Sequence, residues 1–413
     1  MQQPLEDVKV LDLTHALAGP FCSTMLADYG AQVFKLETYG AGDIARAWGA
    51  PLPGGETGYF TSLHRNKKDI EVNLKHPRGK DIFFSLIERC DVVVENFRVG
   101  TLEKLGLDYK RASERNPGII YCSISGFGQD GPYRDRAALD LIVQAESGMM
   151  SVTGEPGGRR VRAGTSIADL TAGMYAAFGI LAALRVREKT GRGQALDVSM
   201  MEGQLSWLNT GIGNYLADGV VPGPMGTAYA SLLPYQTFRT KTRELALAVA
   251  SDKIWKTFCP LIGCPELADD PRYRTNQDRV KNRSSLIPRL EDVFLTRSYE
   301  EWEKLLVKGG VPVGALNDFA QVVDHPQVKA RGSLTEIDHP RAGRIRVVSP
   351  VVRMSASPAT VRTPSPTLGE HTEEVLRDFL GYSPTAIAEL RAARAIGPTQ
   401  QAPEAGTHSS AGD

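Results

Sequence analysis

The chain has 413 residues, 42% hydrophobic and 23% charged, with 48 Lys and Arg balanced by 48 Asp and Glu. That length exceeds one ordinary core, so two domains are expected, and the even charge balance argues against a nucleic-acid surface or a polybasic membrane patch. The five cysteines (Cys22, Cys90, Cys122, Cys259, Cys264) form no C-x-x-C pair and no Cys/His ladder, which argues against structural zinc and a disulfide scaffold and points to reduced thiols.

The first element is a strand, "VKVLDLT", so close to the start that it leaves no room for a signal peptide, and a cytoplasmic location is expected. A loop and helix follow, "HALAGPFCSTMLADYG", then a second strand, "AQVFKLE". Further buried strands are read at 90–97 ("CDVVVENF"), 118–125 ("GIIYCSIS") and 195–200 ("ALDVSM"), with helical patterns such as "GKDIFFSLIERC" between them. Short β-rich runs alternating with helices predict an α/β fold, a doubly wound, Rossmann-like parallel sheet covered on both faces.

A long helix follows Asp169, with Lys189 in its last turn and Gly191 placed to end it. Its unbroken apolar run, Ala176 to Leu184, is far short of the roughly 20 residues of a membrane span, so no membrane partner is expected. A helix apolar on most faces belongs in a core or a tight interface. The expected organisation is a large domain over 1–202, a Gly/Pro-rich linker over 203–225 and a smaller α+β domain over 226–325. A return to the large domain over 326–395 and a disordered tail over 396–413 complete it.

The loop after the first strand, "LTHALAGPFC", lacks the glycines of G-x-G-x-x-G, so a dinucleotide pyrophosphate is not expected there. The basic stretch 64–80, "HRNKKDIEVNLKHPRGK", is either a solvated surface or a phosphate site. Arg98 and Lys104, after a strand end, shift the balance toward an anionic ligand. No G-x-S-x-G elbow or H-E-x-x-H motif occurs, so neither a serine triad nor a metal is expected. Asp169 has two readings. It is a favoured helix N-cap, contributing about 1 kcal/mol, or a carboxylate nucleophile for an activated acyl group. The residues alone leave the two level.

Taken in order, the motifs resemble the class III CoA-transferase family. They are "LDLTHALAGPFCSTMLADYGAQVFKLE", "GAGDIAR", "RNKKDIEVNLK", "VVVENFRVGTLEKLGLDY", "IIYCSISGFGQDGPYRDRAALDLIVQAESG", "ADLTAGMYAAFGILAALRVREKTGRGQ", "GVPVGALN" and "LGEHTEEVL". The resemblance implies that Asp169 attacks the donor thioester, passing through a mixed anhydride and an aspartyl-CoA thioester, with CoA thioesters as substrates and no permanently bound cofactor. It also implies CoA contacts at His15, Leu17, Ala18, Thr38, Val72, Asn73, Leu74, Lys75, Asn96, Phe97, Arg98, Lys104, Ala137, Ala138, Leu139 and Asp140. The pattern "GTA…PYQ-F-TK" is similar to the branch that moves CoA from succinyl-CoA to dicarboxylates such as glutarate, for which Arg46, Arg65, Arg134 and Arg136 are candidate readers of the distal carboxylate. Family members form interlocked homodimers. Two alternatives stand beside this reading, an acyl-CoA racemase of the same fold and a non-catalytic CoA-binding protein. Leu139, where racemases carry histidine, opposes the first.

Overall fold

The computed structural model describes residues 3–398. Six strands form the main sheet: β1 (Lys9–Asp12), β2 (Gln32–Thr38), β3 (Lys67–Val72), β4 (Val92–Glu95), β5 (Ile120–Ser125) and β6 (Ala195–Ser199). Their order is β3-β2-β1-β4-β5-β6, and every pair is parallel.

Alternation along these strands feeds two cores. Leu11, Phe34, Val93 and Tyr121 point to one face, where they meet α3 (below) and the C-terminal helix Pro384–Ala392. Their neighbours Val10, Val33, Val92 and Ile120 point to the other. Burial on both faces explains why the strands read as nearly continuous apolar runs.

Around this sheet, besides the C-terminal helix, lie α1 (Ala18–Asp28), α2 (Gly58–Leu63), α3 (Pro77–Ile87), α4 (Thr101–Leu105), α5 (Tyr109–Arg115), α6 (Asp140–Glu146), α7 (Ile167–Thr190) and α8 (Met200–Trp207). The inward face of α7 carries small residues, Ala168, Ala172, Gly173, Ala176 and Ala183, which let it lie close to the sheet and to α1. A Cβ on Gly173 would come within 2.5 Å of the Ala18 carbonyl oxygen. Glycine is therefore required where α7 crosses the start of α1.

By length and composition α7 is long and apolar enough to cross a membrane, with half of its most apolar stretch buried inside the protein. The expectation from its short unbroken apolar run missed this. Its outward side exposes Met174, Tyr175, Phe178 and Leu181.

Charged residues also enter the interior. Lys67 Nζ donates to Asp12 Oδ2 at 3.1 Å, to Ser23 Oγ at 2.8 Å and to the Pro20 carbonyl at 3.0 Å. Burial lowers the Lys67 ammonium to about 8. Burial works against ionisation of Asp12, yet Lys67 and Lys35 hold its carboxyl down to about 2.

The chain separates into two compact units. The first contains the parallel sheet and comprises the residues up to Met149, Ala163–Gly213, and the chain from Gln327 onward. The second comprises Met150–Arg162 and Asn214–Pro326. Its sheet is antiparallel, β7 (Tyr235–Arg239), β8 (Glu244–Ala248) and β9 (Val313–Ala315), over a core containing Trp255, Phe258, Phe294 and Trp302.

Three boundary expectations need correction. Met150–Arg162, expected in the large domain, falls in the second unit. The stretch 203–225 is helical as far as Asp218, through α8 and α9 (Asn209–Asp218). Ile396, assigned to the tail, is buried and bridges to Val72, and the Gly397 N–H donates to the Glu71 carbonyl. The rest of the expected tail, from 399 on, lies outside the described residues.

Candidate active site

In a sheet of this order the chain leaves β1 and β4 in opposite directions, opening a crevice at their carboxyl ends. A cavity of about 260 Å³ lies there, walled by the loop after β1 (His15, Ala16, Ala18), the loop after β4 (Asn96, Phe97, Arg98), the segment leading to α6 (Ala137, Ala138, Leu139), and Asp169.

Asp169 is not the helix cap. Ser166 occupies the N-cap position, making Asp169 the third helical residue. Among the described residues no hydrogen bond or ion pair holds its carboxylate. Burial first, and the nearby Asp140 carboxylate second, raise it to about 7. An aspartate ordinarily ionises well below neutrality, and the tertiary surroundings change that for Asp169.

Asp140 faces the protein rather than the cavity. Its Oδ1 accepts the Ala168 N–H at 2.9 Å and its Oδ2 accepts from Gln144 at 2.6 Å. It therefore performs the capping role first read onto Asp169, from a distant part of the chain.

The loop after β1 is held by its neighbours. Asn96 clamps His15 by main chain on both sides, accepting its N–H and donating to its carbonyl at 2.8 Å each. The Phe97 ring stands edge-on to the His15 imidazole with centroids 5.2 Å apart. Leu17 precedes α1 and is buried without lining the cavity. The first-turn N–H groups of α1 have no acceptor within the helix, and this end opens onto the cavity at Ala18.

The remaining expected residues lie away from the cavity, at the ends of β2 and β3, just after β3, or in α4. Thr38 is exposed at the end of β2. Val72 ends β3, and Asn73 is tied to the Arg394 and Ala395 carbonyls. Leu74 packs on the core, while Lys75 and Lys104 are exposed.

The basic stretch is neither a solvated surface nor, for the most part, a free anion site. Arg65 grips Asp28 through two hydrogen bonds, Lys67 pairs with Asp12, and Lys68 with Glu374. The candidate arginines separate in the same way. Arg46 makes a forked pair with Glu37 and stacks 3.7 Å over Phe60, so both Arg46 and Arg65 are committed to the interior. Arg134 and Arg136 line the cavity. Arg136 is paired with Glu146 at 2.8 Å and lies over the Tyr133 ring, whereas Arg134 has only its exposed neighbour Asp135 at 3.8 Å.

Two residues near the site escaped the sequence reading. Tyr59 is raised to about 12, by burial first and then by Asp169, which places its phenol within reach of that carboxylate's field. The Trp48 ring stands edge-on against it at 5.6 Å. An aromatic in a short helix carries no local signal of this kind. Asp43 lay inside the quoted motif "GAGDIAR", but its contact with Ala16 in the cavity wall spans 27 residues.

A carboxylate that no hydrogen bond holds among the described residues, in a crevice at the switch point of a doubly wound parallel sheet, has the chemistry of a candidate nucleophile for an activated acyl group. Residues 5–372 match the family model "CoA-transferase family III", and the chain belongs to that family. It is 41% identical over 394 residues, covering 95% of this chain and 90% of the other, to the human succinyl-CoA:glutarate CoA-transferase. It is 36% identical over 395 residues to the succinyl-CoA–D-citramalate CoA-transferase of Chloroflexus aurantiacus, covering 95% of this chain and 98% of that one. A crystal structure of a CaiB/BaiF family protein from Brucella suis superposes with a TM-score of 0.82 at 36% identity, covering 92% of this chain and 100% of that chain.

Proposed function

We propose that this CoA-transferase moves CoA from succinyl-CoA to a small dicarboxylic acid such as glutarate, with Asp169 as the nucleophile. The observation that carries the mechanism is the Asp169 carboxylate, raised to about 7 and free of hydrogen bonds in the cavity wall. A carboxylate made more basic by burial is a stronger nucleophile once ionised.

An Asp169 oxygen attacks the thioester carbonyl carbon. The C–O bond forms, the C–S bond breaks, and the electron pair leaves on sulfur as CoA thiolate. The thiolate then attacks Cγ of Asp169, forming the aspartyl thioester and expelling the donor acid as its carboxylate. The acceptor carboxylate repeats both steps in reverse and restores Asp169. No net proton moves, so the cycle requires no separate acid or base. The open N-terminus of α1 offers N–H groups to the oxygen that gains charge.

In this reading CoA runs from Asp169 along the strand ends. His15, Leu17 and Ala18 lie nearest the thioester, Phe97 and Arg98 with Ala137 to Leu139 follow, and Thr38, Val72 to Lys75 and Lys104 lie farther out. Asn96 and Asp140 act through the backbone they hold. The dicarboxylate acceptor rests on the names of the two relatives, whose acceptors glutarate and D-citramalate are both dicarboxylic acids. A second copy of the chain covers the outward apolar side of α7, giving a homodimer, and the five unpaired cysteines suit the reducing cytoplasm.

The test is Asp169→Ala assayed with succinyl-CoA and a panel of acceptor acids. Transfer is abolished with the circular dichroism spectrum unchanged, and hydroxylamine traps the donor-treated wild type at Asp169. Full transfer by the variant overturns the mechanism.

A further inference from the structure

Ala16 is one of three non-glycine residues with positive φ among the described residues, at 66°, and it lies in the cavity wall. L-residues adopt this conformation at a cost, and it persists only where the surroundings enforce it. One side chain is placed to do so. Asp43 Oδ1 accepts the Ala16 N–H at 3.1 Å and lies 3.7 Å from His15 Nδ1, while also accepting the Ala45 N–H at 2.9 Å.

Asp43 is itself locked. Its N–H donates to Glu37 at 2.6 Å, its Oδ2 accepts from Lys35 Nζ at 3.0 Å, and the His64 ring stands 3.9 Å from it. Lys35 closes the circuit by donating to the Thr14 carbonyl, two residues before Ala16. Asp43, Lys35 and His64 are all buried. With half-buried Asn96 holding His15, four consecutive main-chain groups of the loop, from the Thr14 carbonyl to the Ala16 N–H, are fixed by side chains, those of Lys35 and Asp43 buried.

We propose that Asp43 is a positioning residue of the transfer reaction. By holding Ala16 left-handed and His15 in place, it aims the start of α1 at the acyl group carried by Asp169. This rests on the Asp169 reading above. Its signature is a loss in the chemical step without a matching loss in donor binding, because Asp43 lies behind the wall.

The experiment measures kcat and donor KM for Asp43→Asn, normalised to active sites by the fraction of chains that hydroxylamine traps at Asp169. Asp43→Asn should lose tenfold or more in kcat per trapped site, with the succinyl-CoA KM within about threefold of wild type. Adding Ala16→Gly to Asp43→Asn should restore much of that loss, because glycine accepts the left-handed turn without help. Wild-type kcat in Asp43→Asn, or a loss that Ala16→Gly leaves untouched, overturns the proposal. Should Asp43→Asn fail to fold, Asp43→Glu keeps a buried charge for Lys35 while displacing the acceptor, and the same expectations apply to it. An active Asp169→Ala would instead refute the underlying mechanism, whatever Asp43 does.

Discussion

Asp140 Oδ1 accepts the Ala168 N–H at 2.9 Å, so one carboxylate holds the start of α7 while raising its neighbour Asp169. Replacing Asp140 by Asn keeps an acceptor for Ala168 and removes the like charge. The Asp169 carboxyl then falls, and the acid limb of kcat/KM, expected near pH 7 in the wild type, moves down by roughly one pH unit or less. Burial, the larger cause, remains, so the limb stays above the ordinary aspartate value. A limb that moves upward contradicts this account.

Asp169 also links activity to stability. Its carboxyl has an ordinary value of 3.8 and is raised to about 7 in the folded chain. Between those values the folded chain keeps a proton that the unfolded chain has lost. The group's contribution is therefore greatest below about pH 4, and declines as pH rises to about 7. Each pH unit in that window is worth about 1.4 kcal/mol. Asp169→Asn should abolish transfer yet melt higher than wild type at pH 8, with the gap narrowing toward pH 5. Thermal melts at the two pH values check it.

Gly173→Ala drives a methyl into the Ala18 carbonyl, which is backbone and cannot step aside. We expect a loss of about 1–3 kcal/mol of stability. Because the shift falls on the start of α1, kcat should drop as well. Denaturant titration and steady-state kinetics on the same preparation measure both.

The arginines give a contrast in kind. Arg134 lines the cavity with only a loose, exposed partner, so Arg134→Met should raise KM for dicarboxylate acceptors more than for monocarboxylates. Arg65→Met instead removes the ion-pair partner of the buried Asp28 carboxylate, leaving it the Asn66 amide, and should cost about 3 kcal/mol of stability, with no selective effect on acceptors. An acceptor panel and a melting curve distinguish the two.

Much of the fold was legible because its cause is local. Strands buried on both faces must be apolar throughout, and helices between them must carry a stripe, so the order of elements follows from residue types alone. Asp169 stood out for a similar reason, as the one acid at the head of a long apolar helix. The basic stretch 64–80 misled because a charge run looks the same whether it meets water or buried carboxylates. Only packing shows Lys67 against Asp12.

The sequence by itself determined the parallel α/β scaffold and the family, and it singled out Asp169 as the candidate nucleophile. What only the tertiary structure decided is how that aspartate behaves. Its helix is capped by the Asp140 side chain rather than by Ser166 at the N-cap position, no hydrogen bond holds its carboxylate among the described residues, and its basicity is set first by burial and then by Asp140. The loop opposite is shaped by Lys35 within β2, Asp43 in the segment after it and Asn96 just after β4. Proton affinity and loop geometry depend on distances across the fold, and no pattern along the chain encodes a distance between residues remote in sequence.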